Sequence, residues 1–405
     1  MKILYVVPYV PSLIRVRPYN LIRYLSDRGH QVTVATLWSS ADEENDIHAI
    51  RPHCKEVVGE SISRLRSYAN SIIALPTRTP LQAVYSWSPS FAAQLAKLVS
   101  ANKFDIIHFE HLRSVKYGIY LLNQYPDLPI VWDSVDCISL LFRWASQQSQ
   151  SIFGRLITRL ELKRTERFEG HLINRFNQIL VTSPLDKQAL SKLGSDGNRS
   201  NNITVLTNGV DLNYFHPLQN DLRAPATLVV SGKMSYHANI TMVLYLVRKI
   251  MPYVWDSRPD VRLQIVGKDP SSEIKALGSQ TGVEVIGSVP DLRPYLQHAT
   301  IAVTPILYGV GIQNKVLEAM ACATPVVATP QAVSAINVND RQNVFVEQEP
   351  AAFAKAILML LSDPEKRQRI GNAGYKFVKK HHQWSGIAAD LEKIYQEVRR
   401  VRQLA

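Results

Sequence analysis

Short, unbroken apolar runs separated by helix-length segments occur in two successive series along this chain, and that pattern restricts it to α/β architecture on parallel sheets. The first series opens with KILYVV at residues 2–7. An uninterrupted run of this kind suits a strand buried on both faces. PYNLIRYLSDRGHQVTVATL then supplies an amphipathic helix, Gly29 at its end and a second strand, completing a βαβ unit. DIIHF, IVWDS and QILVTS continue the series. After VLTNGVDLNYFHPLQNDLRAPA the same grammar restarts with TLVVSGKM, VRLQIVGK, VEVIGSV, TIAVTPI and PVVAT. Asn208-Gly209, Pro217 and Pro225 interrupt the periodicity, so a domain boundary is expected between 206 and 226. Two domains also suit 405 residues, because a single core stops growing near roughly 250 to 300. The final stretch, HHQWSGIAADLEKIYQEVRRVRQLA, is helical in pattern, with Ile387, Leu391 and Ile394 on one face that needs a surface to cover.

No G-x-G-x-x-G follows the first strand, which argues against a dinucleotide held at the first strand-helix turn. That turn carries prolines and the arginines Arg15 and Arg17 instead. The formal net charge of +12 favours anionic partners without choosing among them, and no basic motif interleaved with aromatics supports a nucleic acid. No apolar run reaches the roughly 18 residues of a membrane span, and the opening run is too short for a signal peptide. A cytoplasmic location is therefore expected. Cys54, Cys137 and Cys322 lack metal-ligand spacing.

The stretch GVGIQNKVLEAMACATPVVAT, residues 309–329, carries the clearest chemistry. Val316, Leu317, Met320 and Ala321 recur at helical spacing, which predicts a helix entered at Gln313 or Asn314. Asn314, Lys315, Glu318 and Cys322 would share the other stripe. Gly309 and Gly311 permit close backbone approach, and free N–H groups at the positive end of the helix dipole form a ready anion site. A phosphate suits such a loop. The competing reading makes Lys315 and Glu318 an ordinary surface pair.

In the first half, FDIIHFEHLRS places His108, Glu110 and His111 at the end of a strand. Alternation puts His108 and Glu110 on one side unless a turn follows Phe109. A zinc site at His108 and His111 lacks a third ligand nearby in sequence. IVWDSVDCISLLF leaves Asp133 and Asp136 beyond an apolar run. FGRLITRLELKRTERFEGHLINRF is rich in Arg and Lys, and could rest on an anionic membrane. Glu161, Glu166 and Glu169 within it favour a solvated, salt-bridged face instead.

NGVDLNYFHP, SGKM and GVGIQNKVLEAMACATPVVAT, in this order and spacing, resemble the donor half of retaining glycosyltransferases of the GT-B, family 4 type. GHQVTVAT after the first helix is similar too, so the resemblance covers nearly the whole chain. It implies two Rossmann-like domains facing across a cleft: residues 1–215 on the acceptor side, residues 216–380 binding the nucleotide sugar, and 381–405 returning to the first domain. By motif, Glu318 matches the carboxylate that holds the donor ribose, and Gly311, Ile312, Gln313 and Asn314 would form the phosphate-facing loop with Gly309 and Val310. Lys233, after Gly232, stands where the family has a basic residue against the diphosphate, which would make a metal unnecessary. Gly267, Lys268 and Ser288 are expected where the base is read. On the acceptor side the resemblance points to Arg15, Arg17 and Glu110, with His111 or Asp136 near the sugar.

The chain departs from the family pattern at three places. Val310 stands eight positions before Glu318, where a second glutamate is common, and SGKMSYHAN offers His237 and Ala238 where a second basic residue is common. The first loop lacks paired glycines. The implied activity is transfer of a hexose from a UDP- or GDP-sugar to a hydroxyl acceptor, without a cofactor and with peripheral membrane contact open. A catalytically idle nucleotide-binding partner of another transferase is the alternative that Val310 suggests, and a sugar-nucleotide epimerase of related architecture is a weaker one.

Overall fold

The computed structural model describes residues 1–12, 15–148, 152–194, 202–218, 223–309 and 311–404. They fall into two units, one of Met1–Thr207 with Trp384–Ala405 and one of Asn208–Gln383.

The first unit is built on seven parallel strands: β1 (Lys2–Val7), β2 (Gln31–Trp38), β3 (Glu56–Ser61), β4 (Ile106–Glu110), β5 (Ile130–Val135), β6 (Gln178–Val181) and β7 (Ile203–Val205). Their order is β3-β2-β1-β4-β5-β6-β7. β1 is buried from Ile3 to Val7, as its unbroken apolar run requires with partners on both sides. The register sets Tyr5 beside His108 and Glu110 beside Asp133. The helix Trp384–Leu404 packs Trp384, Ile387, Leu391, Ile394 and Tyr395 into the same core as Ile3, Tyr5 and Leu21. Each such buried side chain contributes about 1.5 to 3 kcal/mol, enough to hold a helix of this length to the sheet.

The long helix Ile152–Ile173 corrects one expectation. Of its acidic residues, only Glu166 sits in an exposed pair, with Arg143 at 2.7 Å. Glu161 and Glu169 are buried. Glu169 accepts from the amides of Ile138 and Ser139 at 2.9 and 3.2 Å, so it closes the start of the helix Ile138–Gln148. Glu161 accepts from the Leu81 amide at 2.9 Å and from Arg164 at 2.8 Å.

The second unit has six parallel strands: β8 (Thr227–Ser231), β9 (Arg262–Val266), β10 (Val283–Gly287), β11 (Ile301–Thr304), β12 (Val326–Ala328) and β13 (Phe345–Val346). The order β10-β9-β8-β11-β12-β13 reverses at β8 and β11, just as the first sheet reverses at β1 and β4. In open α/β sheets the loops at such a reversal part and leave a crevice at the carboxyl ends of the strands. Among the described residues, no helix is long and apolar enough to cross a membrane.

Candidate functional site

In the second unit the reversal lies between the turn after β8 and the loop after β11. Gly232 and Gly267 both have φ of +149°. A side chain on Gly267 would place its Cβ 1.7 Å from the Gly232 carbonyl oxygen, so the turns after β8 and β9 lie backbone against backbone. Met234 and Lys268 are joined there by an amide-to-carbonyl bond of 2.8 Å. This packing leaves the side chains of Lys233 and Lys268 exposed. Ser288 is exposed just after β10, at the edge of the sheet and two strands from the reversal.

Across the reversal, Gly311 turns the chain with φ of +67° into the helix Asn314–Ala321, whose N-cap Gln313 makes no side-chain capping bond. Gly309 and Ile312 are buried, and the Gly309 carbonyl accepts from Gln331 at 2.9 Å. Val310 lies outside the described residues. Asn314 accepts from Asn208 at 3.3 Å.

Lys315 and Glu318 do not pair with each other. Lys315 Nζ donates to Asn239 Oδ1 at 2.6 Å, while Asn239 Nδ2 donates to the Lys233 carbonyl at 2.9 Å. One buried amide thus ties the lysine of the helix to the turn after β8. Burial holds Lys315 down to about 8 despite Glu318 nearby, and raises Glu318 to about 7 despite Lys315. Glu318 is half-buried and its carboxylate has no hydrogen-bond partner among the described residues. Cys322, expected on the same stripe, is fully buried at the helix end and faces the core. Sequence reasoning stopped at His237 and Ala238 and passed over Asn239. It also missed Tyr308, whose ring stacks on His237 at 5.5 Å and whose hydroxyl meets that ring at 2.9 Å.

In the first unit the reversal gathers Tyr9, Arg15, Glu110 and His111 beside Asp133. Glu110 accepts from Tyr5 at 2.8 Å and from Tyr9 at 3.0 Å. Burial and then the Asp133 charge raise Glu110 to about 7. Arg17 corrects the sequence reading. It lies in the buried first turn of the helix Val16–Asp27 instead of the loop, because it pairs with Asp133 at 2.7 Å and donates to the Leu206 carbonyl at 3.1 Å. Arg15 is exposed and stacks over Tyr9, 4.3 Å from the ring centre.

His108, Glu110 and Asp133 bring ligand atoms within 4.8 Å of one another, a different grouping from His108 with His111. The residues present do not fit a cation. Arg17 neutralises Asp133, both Glu110 oxygens accept tyrosine hydroxyls, and His108 Nδ1 meets Tyr395 at 2.8 Å.

His111 and Val135 take left-handed backbone, φ +68° and +67°, at the ends of β4 and β5. Such conformations are rare for non-glycine residues and strained for a β-branched one. The His111 amide donates to the Asp133 carbonyl at 2.7 Å, which holds the two ends together. His111 Nδ1 accepts from the Arg113 amide at 3.2 Å, so Nε2 carries the proton of the neutral ring. Burial, then Arg113 and Arg15, push that imidazole down to about 3. Asp136 accepts from Thr182 at 3.2 Å and is raised to about 7 by burial and by Asp186. Arg113, over the Tyr85 ring at 5.0 Å, and Lys116, over Trp87 at 4.7 Å, extend this edge and were not expected from the sequence.

Residues 225–363 match the family model described as glycosyl transferases group 1, and residues 15–214 match glycosyltransferase family 4. An alpha-maltose-1-phosphate synthase of Mycolicibacterium smegmatis is 26% identical over 48% of this chain, which spans 57% of that protein's length. Sucrose-phosphate synthase from Thermosynechococcus elongatus is similar in structure, with a TM-score of 0.72 at 20% identity over 98% of this chain and 99% of that one. HepE from Anabaena, solved with UDP and glucose, gives a TM-score of 0.69 at 16% identity over 98% of this chain and all of that one. At these identities the structural likeness speaks for the fold alone. With both halves matched by family models and both sheets ordered as described, the chain belongs to the group 1, family 4 glycosyltransferases and has the GT-B fold.

Proposed function

We propose that this protein moves a hexose from a nucleoside diphosphate sugar to a hydroxyl acceptor, with retention of anomeric configuration and without a divalent metal. The observation that carries the reading is Glu318, a half-buried carboxylate without a hydrogen-bond partner among the described residues, on the helix that follows the Gly311 turn. Its two oxygens suit the two neighbouring hydroxyls of a ribose. Lys233 and Lys315, linked through Asn239, supply the positive charge that a departing diphosphate needs. As the glycosidic bond breaks, the leaving phosphate oxygen takes the proton of the attacking hydroxyl, and the protein orients and neutralises. The Nε2–H of His111, without a hydrogen-bond partner among the described residues, suits a hydroxyl oxygen of the transferred sugar. Gly267, Lys268 and Ser288 remain the proposed readers of the base, and Arg15 with Glu110 the acceptor side. Residues 1–215 would serve the acceptor, 216–380 the donor, and a cytoplasmic location suits a nucleotide sugar.

Two outcomes are expected. Titration with UDP or GDP in EDTA leaves affinity unchanged, because the lysines provide the counter-charge; affinity and turnover lost on chelation and restored by magnesium or manganese would contradict this. His111→Ala and Asp136→Asn lower kcat at least about tenfold while the dissociation constant for nucleoside diphosphate stays within about twofold, since neither belongs to the donor half. Wild-type rates from both variants would remove them from the site. Val310 in place of a carboxylate favours one second reading, an idle nucleotide-binding partner, which consumes no donor.

A further inference from the structure

The helix Arg64–Ala74 is inside out. Leu65, Tyr68, Ile72 and Ile73 recur at helical spacing, yet they are 81%, 57%, 65% and 72% exposed, and Leu75 just beyond is 51% exposed. The side turned inward is small and polar. Ser67 is buried, and Asn70 donates to the carbonyl of Trp87 at 2.9 Å. An amphipathic helix that packs its polar side on the protein and offers its apolar side outward needs an occupant for that face.

The charge around it identifies the occupant. Between Glu60 and Asp105 the chain has no acidic residue, and Arg64, Arg66 and Arg78 stand on this helix or just beyond it. A neighbouring stretch has the same bias: between Asp136 and Glu161 the only charged residues are Arg143, Arg155 and Arg159. The two stretches meet in space. Arg164 donates to the Leu75 carbonyl and Glu161 accepts from the Leu81 amide, so Ile157 and Leu160, exposed on the stripe of Glu161 and Arg164, lie beside the end of the apolar helix. Exposed apolar side chains accompanied by the exposed Arg64 and Arg66 on the same helix and Arg78 just beyond it match an anionic bilayer surface. A second copy of this chain fits poorly, because a two-fold contact would set these cations against one another.

We propose that the outward face of Arg64–Ala74, flanked by Ile157 and Leu160, docks on an anionic membrane. This extends membrane contact from the basic helix Ile152–Ile173, which carries Ile157 and Leu160, to the helix Arg64–Ala74. Docking there also bears on the acceptor edge. Asn70 holds the Trp87 backbone, whose ring carries Lys116, and Tyr85 nearby carries Arg113, whose amide bonds His111. An acceptor borne by the bilayer would thus reach residues proposed to face the sugar.

The test is vesicle co-sedimentation of the full chain, without donor or acceptor, so its outcome stands apart from that of the transfer reading. Vesicles of phosphatidylcholine with about 30% phosphatidylglycerol are compared with pure phosphatidylcholine. The expected result is at least about tenfold stronger association with the anionic vesicles, weakened by 0.5 M salt (~3 to 5 Å screening), and lost about tenfold in Ile72→Glu/Ile73→Glu. Both positions are exposed, so thermal melting of that variant should match wild type. Tyr68→Trp should shift its emission to the blue only with anionic vesicles. Wild-type protein that stays in the supernatant, or a double variant that sediments like wild type, would overturn the proposal. So would a lipid-free dimer that the double substitution converts to monomer, which would assign the face to a second copy.

Discussion

Glu318→Ala should bind every ribose-carrying nucleotide roughly ten- to hundredfold more weakly than wild type, the equivalent of about 1.5 to 3 kcal/mol for one charged hydrogen-bonding partner. The fold should be little disturbed, because this carboxylate makes no hydrogen bond to the protein among the described residues. Lys233→Ala should differ in kind. Its exposed ammonium follows the turn after β8, so its loss should weaken diphosphate far more than nucleoside. Calorimetry with nucleoside, monophosphate and diphosphate separates the two patterns: Glu318→Ala weakens all three, and Lys233→Ala spares the first. A Glu318→Ala protein that binds diphosphate as tightly as wild type would make the helix Asn314–Ala321 a packing element.

Gly267→Ala should destabilise the second unit by about 3 kcal/mol, which for a unit of this size lowers Tm by about 6 to 12 °C. The cause is steric and conformational together. Its Cβ would stand 1.7 Å from the Gly232 carbonyl oxygen, and φ of +149° is a conformation L side chains rarely adopt. Either the turn after β8 moves, which displaces Lys233, or the strand ends separate. Gly386→Ala is the control, since nothing lies within 4 Å of a Cβ there and its helix should gain up to about 1 kcal/mol. Equal melting of Gly267→Ala and wild type would show that the two turns are not packed as described.

Of the thirteen strands among the described residues, ten were legible because buried parallel strands are continuous apolar runs. β3, β7 and β13 were not. β3 is an edge strand that reads EVVGES with glutamates near both ends, and β7 and β13 are only three and two residues long. The donor loop and Glu318 stood out because glycine spacing followed by a helix has a local cause. Asn239 did not, because its value depends on Lys315, 76 positions away. Arg17 was misplaced for the same reason: only Asp133, distant in sequence, reveals why an arginine is buried in the first turn. The outward face of Arg64–Ala74 has an ordinary amphipathic pattern, and periodicity alone does not say which side meets the protein.

Retaining sugar transfer is tested most directly by incubation of the purified protein with UDP-, GDP- and ADP-sugars and a panel of sugar and lipid-linked acceptors, following nucleotide release and the anomeric signal of the product by NMR. One nucleoside diphosphate sugar should be consumed in EDTA, with release of one nucleoside diphosphate per new glycosidic bond and the donor's anomeric configuration kept. Nucleotide binding with no donor consumed across the panel, or a product of inverted configuration, would contradict it.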